Sequence, residues 1–248
     1  VRITDGTETL SFEELLNKYN PDILKTEVQT EQSGQATGPD DSQDTEETQK
    51  LTGKRTVYIT FPETINANTE TSLDILNAYG YTATFFVDSS DIINNPLVIS
   101  EMISEGHKVG IKPRSPGAYT NIESLISEIN SINDLLYRVF KFKTRTVMLD
   151  AMYTYNNDLL AAVNGGALTE EGYSLWRTTA ERTDGIYNNS VASQKMIDIL
   201  LNNTTIVYNL GNNYYTPNIL DSTLSYIYRN SHNCDVRLAD ASYIPPNR

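Results

Sequence analysis

From Lys54 onward, short apolar runs alternate with longer amphipathic ones, and that alternation admits few folds. Thr56-Val57-Tyr58-Ile59-Thr60-Phe61 is β-branched and aromatic, the composition of a strand. Residues 69–79 follow with Leu73, Leu76 and Tyr79 on one helical face and Gly80 placed to end the helix. Thr82-Ala83-Thr84-Phe85-Phe86-Val87 reads as a buried strand. Asn95-Pro96 opens a helix with Pro at its first position, and Gly106 closes it. Residues 108–112 form a third strand. A long helix over residues 122–140 gathers Ile122, Leu125, Ile126, Ile129, Leu136, Val139 and Phe140 on one face. Strands recur near 146–150, 174–179 and 204–210, and a short last one near 236–238. Helices recur near 157–164, 191–202 and 219–228.

Apolar strands that alternate with helices predict a parallel sheet covered by helices. The fold class is α/β, as a distorted, incomplete (β/α) barrel of about seven parallel strands. An open doubly wound sheet is the alternative. The loop after the first of these strands, Phe61-Pro62-Glu63-Thr64-Ile65-Asn66, contains no Gly, which weakens any nucleotide-binding reading.

The region before Lys54 differs in texture. Ser11-Phe12-Glu13-Glu14 reads as a capping box, with Leu10 and Leu15 as a hydrophobic staple, and predicts a short helix to about Tyr19. Residues 26–53 are polar and acidic, too poor in apolar side chains to form a core. The organisation expected is an N-terminal helical segment over 1–25, an acidic linker over 26–53 and a barrel domain over 54–248.

Charge narrows the partners. The chain carries a net −13, and residues 1–53 hold 12 acidic against 4 basic side chains. That balance argues against nucleic acid and against docking on anionic lipid, both of which need clustered Lys and Arg. No apolar run is long enough to span a membrane. The single cysteine, Cys234, allows no internal disulfide. The sequence opens on Val1, and the expectation is an extracytoplasmic protein, secreted or surface-anchored, whose signal or anchor lies upstream.

Residues 54–110 carry more specific motifs. The strand 57–61, the helix ending in Tyr79-Gly80, the strand Ala83-Thr84-Phe85-Phe86 and the turn Glu105-Gly106-His107-Lys108-Val109-Gly110 occur in that order. This succession resembles the polysaccharide deacetylase (NodB homology) family. The resemblance implies a distorted (β/α) barrel and an ancestral removal of acetyl groups from a glycan. Such chemistry needs a water activated on a divalent cation, a carboxylate base and a group to protonate the leaving amine. Family members supply them from Thr-Phe-Asp-Asp-Gly after the first barrel strand and His-x-x-x-His after the third. Here the first motif reads Thr60-Phe61-Pro62-Glu63-Thr64. Pro62 stands at the base position and Glu63 at the ligand position. The two histidine positions fall on Lys112 and Pro116, and the late family histidine on Asn209. Only His107 and His232 exist in the chain; the first reads as structural and the second as a loop residue. No metal and no other cofactor is therefore expected.

What remains at the strand ends defines the candidates. Glu63 and Asp150 are the carboxylates that could do acid–base work. Lys112 is placed to occupy the space of the lost cation and to pair with Glu63 or Asp150. Lys112, Asn209, Tyr153, Tyr155, Trp176, Tyr214 and Tyr215 form the candidate binding set, the aromatics for stacking on sugar rings. Three functions stay open. One is a catalytically degenerate domain that binds a cell-wall or other polysaccharide. The second is an active deacetylase with a rearranged site. The third is a protein-interaction module, with a partner held through the N-terminal segment.

Overall fold

The computed structural model describes residues 2–4, 9–11, 51–114, 118–149, 156–176 and 189–239. Near the N-terminus, β1 (Arg2–Thr4) and β2 (Thr9–Ser11) pair as an antiparallel ribbon, which the sequence reading did not foresee. The rest of the helix expected to Tyr19, and the acidic linker up to Lys50, lie outside the described residues.

The barrel strands are β3 (Arg55–Phe61), β4 (Thr84–Val87), β5 (Lys108–Ile111), β6 (Thr146–Met148), β7 (Ser174–Trp176), β8 (Thr205–Asn209) and β9 (Cys234–Arg237). All seven join one parallel sheet in the order β7-β6-β5-β4-β3-β8, with β9 also on β3. Among the described residues no ladder links β7 to β8, so the sheet curls without closing. The helices are α1 (Ala67–Tyr79), α2 (Ser89–Asn94), α3 (Pro96–Ser104), α4 (Ile122–Phe140), α5 (Asn157–Asn164), α6 (Ala167–Glu170), α7 (Asn189–Asn202) and α8 (Thr216–Arg229). The doubly wound alternative is set aside by the strand order, because each of β3 to β7 neighbours the next and only β8 returns to the other side of β3.

The period-two alternation of the strands sorts their side chains. Val57, Ile59, Phe61, Phe85, Val87, Val109 and Ile111 join the large core that the helices cover. The opposite face gathers Tyr58, Phe86, Met148, Trp176 and Ala239 into a separate interior layer. Gly110 belongs to this inner parity. A Cβ there would lie 2.6 Å from the Phe86 ring, so only glycine lets that ring cross β5.

The floor is closed by the C-terminal strand. β4 meets β3 only at Thr60 and Phe61, and β9 pairs with the lower half of β3, at Arg55–Tyr58. Ala239 then donates its N–H to Thr84 Oγ1 at 2.9 Å and accepts from Lys108 Nζ. His107 is buried beside this wedge, and its Nδ1 accepts the Ala83 N–H at 3.1 Å. The neutral ring therefore carries its proton on Nε2, which faces Glu105 Oε2 at 3.5 Å. Burial lowers the His107 pKa to about 4.

Candidate functional site

The inward parity of three strands runs straight into the barrel mouth. Tyr58 and Thr60 lead to Pro62; Thr84 and Phe86 lead to Asp88; Lys108 and Gly110 lead to Lys112. These residues meet at a cavity of about 220 Å³ lined by Pro62, Thr64, Asp88, Asp91, Lys112, Pro113 and Arg114. The C-terminal ends of parallel strands are where barrel sites form.

Lys112 is anchored at both ends. Its backbone N–H bonds the Val87 carbonyl at 2.9 Å, and its Nζ donates to the Pro62 carbonyl at 2.7 Å. The sequence reading expected Lys112 to pair with Glu63 or Asp150. One bond of the ammonium runs to the backbone of the neighbouring motif, and Asp91 feels the Lys112 charge. Glu63 is half-buried beyond Pro62, and Asp150 lies outside the described residues.

The loop that carries Pro62, Glu63 and Thr64 is fixed from two sides. Asp91 accepts the Ile65 N–H at 3.0 Å and the Asp88 N–H at 3.3 Å, and Asp88 in return accepts the Asp91 N–H at 2.9 Å. Burial raises the Asp91 pKa, against the lowering effect of those two N–H donors and of Lys112. On the other side Asn212, next after Leu210 and Gly211 at the end of β8, donates to the Glu63 and Thr64 carbonyls at 3.2 and 2.9 Å. Its own carbonyl accepts from the Asn66 and Asn68 side chains. Asp88, Asp91, Arg114 and Asn212 were not singled out from sequence. For two of them a signal existed: Asp88-Ser89-Ser90-Asp91, directly after an apolar strand, is the reciprocal cap of α2. Arg114 at the rim makes a two-point contact with Glu128 of α4, at 2.9 and 2.6 Å.

The binding candidates separate. Tyr214 and Tyr215 stand at the rim, 77% and 43% exposed, with their rings edge to face at 5.4 Å. Asn209 is buried and accepts from Thr60 Oγ1 at 3.3 Å. Trp176 is corrected: at 1% exposure it fills the interior layer against Tyr58, ring centres 5.3 Å apart, and presents no face to a ligand. Its inward parity on β7 is the reason. Tyr153 and Tyr155 lie outside the described residues. Among the described residues, no three of His, Cys, Asp and Glu come together as a cation site.

Comparison with known proteins places this geometry in a family. The polysaccharide deacetylase profile matches residues 49–169. The chain is 26% identical over 192 residues to the putative polysaccharide deacetylase YheN of Bacillus subtilis, covering 76% of this chain and 59% of that protein. It is 32% identical over 91 residues to the peptidoglycan-N-acetylmuramic acid deacetylase PdaA of the same species, covering 36% of this chain and 35% of that one. The chain thus spans less than two thirds of these relatives. The catalytic domain of a peptidoglycan N-acetylglucosamine deacetylase from Eubacterium rectale superposes with a TM-score of 0.66 at 16% identity, over 80% of this chain and 95% of that domain. Residues 49–169 thus match the polysaccharide deacetylase family, and the chain has the fold of the solved deacetylase domain.

Proposed function

We propose that this domain binds an envelope glycan outside the cytoplasm, as a metal-free and catalytically silent relative of the deacetylases. One contact supports the reading above the others: the Lys112 ammonium, at a position where the family places a metal-binding histidine, donates to the carbonyl of Pro62, where the family places its base. A cation cannot ligate a cation, and a proline side chain takes no proton. The described residues at the mouth therefore do not fit a divalent metal, and no hydrolytic step is derived through one. Lys112 instead ties β5 to the β3 loop as a fixed positive charge.

Binding needs less than catalysis. Exposed aromatic rings next to Asn213 suit stacking on a sugar ring and hydrogen bonding to its hydroxyls. The extracytoplasmic placement rests on the peptidoglycan substrate named for PdaA. A deacetylase assay on N-acetylated chitin oligomers and on peptidoglycan, with and without added Zn²⁺ or Co²⁺, tests the silent site. No acetate release under any condition is expected; metal-dependent release would restore the enzyme reading. Pull-down on the same glycans tests the binding half, and retention of the protein is expected.

A further inference from the structure

A second cavity, of about 420 Å³, opens at the opposite end of the barrel. It is lined by His107, Lys108, Lys143 and Arg145 together with Phe142 and Ser174, among others, and no carboxylate among the described residues lines it. This is unusual in a chain of net charge −13. The sequence gathers the charge: residues 138–145 hold Arg138, Lys141, Lys143 and Arg145 and no acid.

The basic loop is held in place. Lys141 ends α4 in the left-handed region, φ 56°, with its N–H on the Tyr137 carbonyl at 3.0 Å. Buried Asn133 of α4 then takes both backbone groups of Thr144: Nδ2 donates to the Thr144 carbonyl at 2.9 Å, and Oδ1 accepts the Thr144 N–H at 3.0 Å. Asn133 also donates to Tyr173, whose hydroxyl donates to Asn130 at 2.6 Å. The ammoniums of Lys141 and Lys143 lie 5.1 and 5.3 Å from the centre of the Tyr137 ring. Two carboxylates touch the cluster from its sides: Asp134 pairs with Lys143 at 3.1 Å in the open, and Glu105 faces His107. An exposed pair of that kind yields easily to a competing anion. Arg145 is exposed and has no carboxylate partner among the described residues.

Part of this cluster balances the negative C-terminal end of α4. That role does not require Arg145 or a cavity beside it. We propose that this cleft binds a linear anionic polymer through the phosphate or carboxylate groups along it, independently of the barrel mouth. A concave, hydroxyl-lined cleft takes a polymer strand better than a flat bilayer does. Phe140 and Phe142 are packed against the core, which leaves them unavailable for insertion into lipid.

The test is binding of the whole chain to inorganic polyphosphate, to polygalacturonate and to phosphatidylglycerol vesicles over a range of salt concentrations. Binding to either polymer, weakening steeply with salt, is expected, and the preferred polymer names the anionic group. The variant K143A/R145A should lose roughly tenfold or more in affinity at low salt and show a shallower salt dependence. The control K195A/R229A, with the same change in net charge, should bind as the parent does. Matching thermal unfolding of both variants verifies the fold. No polymer binding at low salt, equal losses in both variants, or a preference for vesicles would overturn the proposal.

Discussion

The floor and the mouth of this barrel use the same strands under different constraints. At the floor, three polar side chains of the β4–β5 edge are committed to the fold. His107 takes the Ala83 N–H, Thr84 takes the Ala239 N–H, and Lys108 reaches the Ala239 carbonyl. A substitution there strands a buried partner, which costs about 1–3 kcal/mol. At the mouth, the inward positions two residues further on are Pro62, Asp88 and Lys112, around a cavity. Their side chains add little to the core, so the mouth can change its chemistry while the barrel stands. Under the proposed function, that difference lets the mouth change while the floor keeps its Glu105-Gly106-His107 turn.

The contrast is sharpest at two aromatic sites. Trp176→Ala empties part of the interior layer and should destabilise the protein by about 3–5 kcal/mol in chemical denaturation. A loss below about 1 kcal/mol would place Trp176 outside the core. Titration of His107 comes next. Its folded pKa of about 4 lies below the unfolded value near 6.5, so the unfolded chain binds the extra proton between those limits. The stability that His107 contributes is present above pH 6.5 and is lost as pH falls toward 4, a difference of about 3 kcal/mol. The His107→Gln variant should show a flatter stability profile over that window than the parent; parallel profiles would mean that burial does not hold the ring neutral. The smallest stability effect is expected at the rim. Tyr214→Ala with Tyr215→Ala should change stability by less than about 0.5 kcal/mol, since both rings are exposed, while weakening retention on the glycan resin. Unchanged retention would remove the rim from the binding surface.

Much of the fold could be read in advance because its signals are local. Six of the seven barrel strands follow from apolar runs, the last lies at Cys234–Arg237 where the sequence reading put it near 236–238, and α4 spans the residues its periodicity marks, from Ile122 to Phe140. The helix α2 escaped notice because it is only six residues long and begins with two serines, poor interior formers, between a strand and Asn94-Asn95-Pro96. The β1–β2 ribbon escaped because three-residue strands carry almost no pattern. The place of Lys112 at the barrel mouth was legible because it depends on a strand end. The site was not legible where it depended on chain crossings. No spacing in the sequence reveals that Asn212 holds the loop after β3, or that Asp91 bonds Ile65, 26 residues earlier. Trp176 was assigned by residue type, whereas its parity with Met148 on the neighbouring strand would have placed it inside.

The central claim is that the Lys112–Pro62 contact replaces a metal site. Elemental analysis of the purified protein, followed by calorimetric titration with Zn²⁺ and Co²⁺, tests it directly. The account predicts no stoichiometric metal as purified and no saturable binding on titration. One tightly bound Zn²⁺ or Co²⁺ per chain, lost on mutation of Glu63, would contradict it.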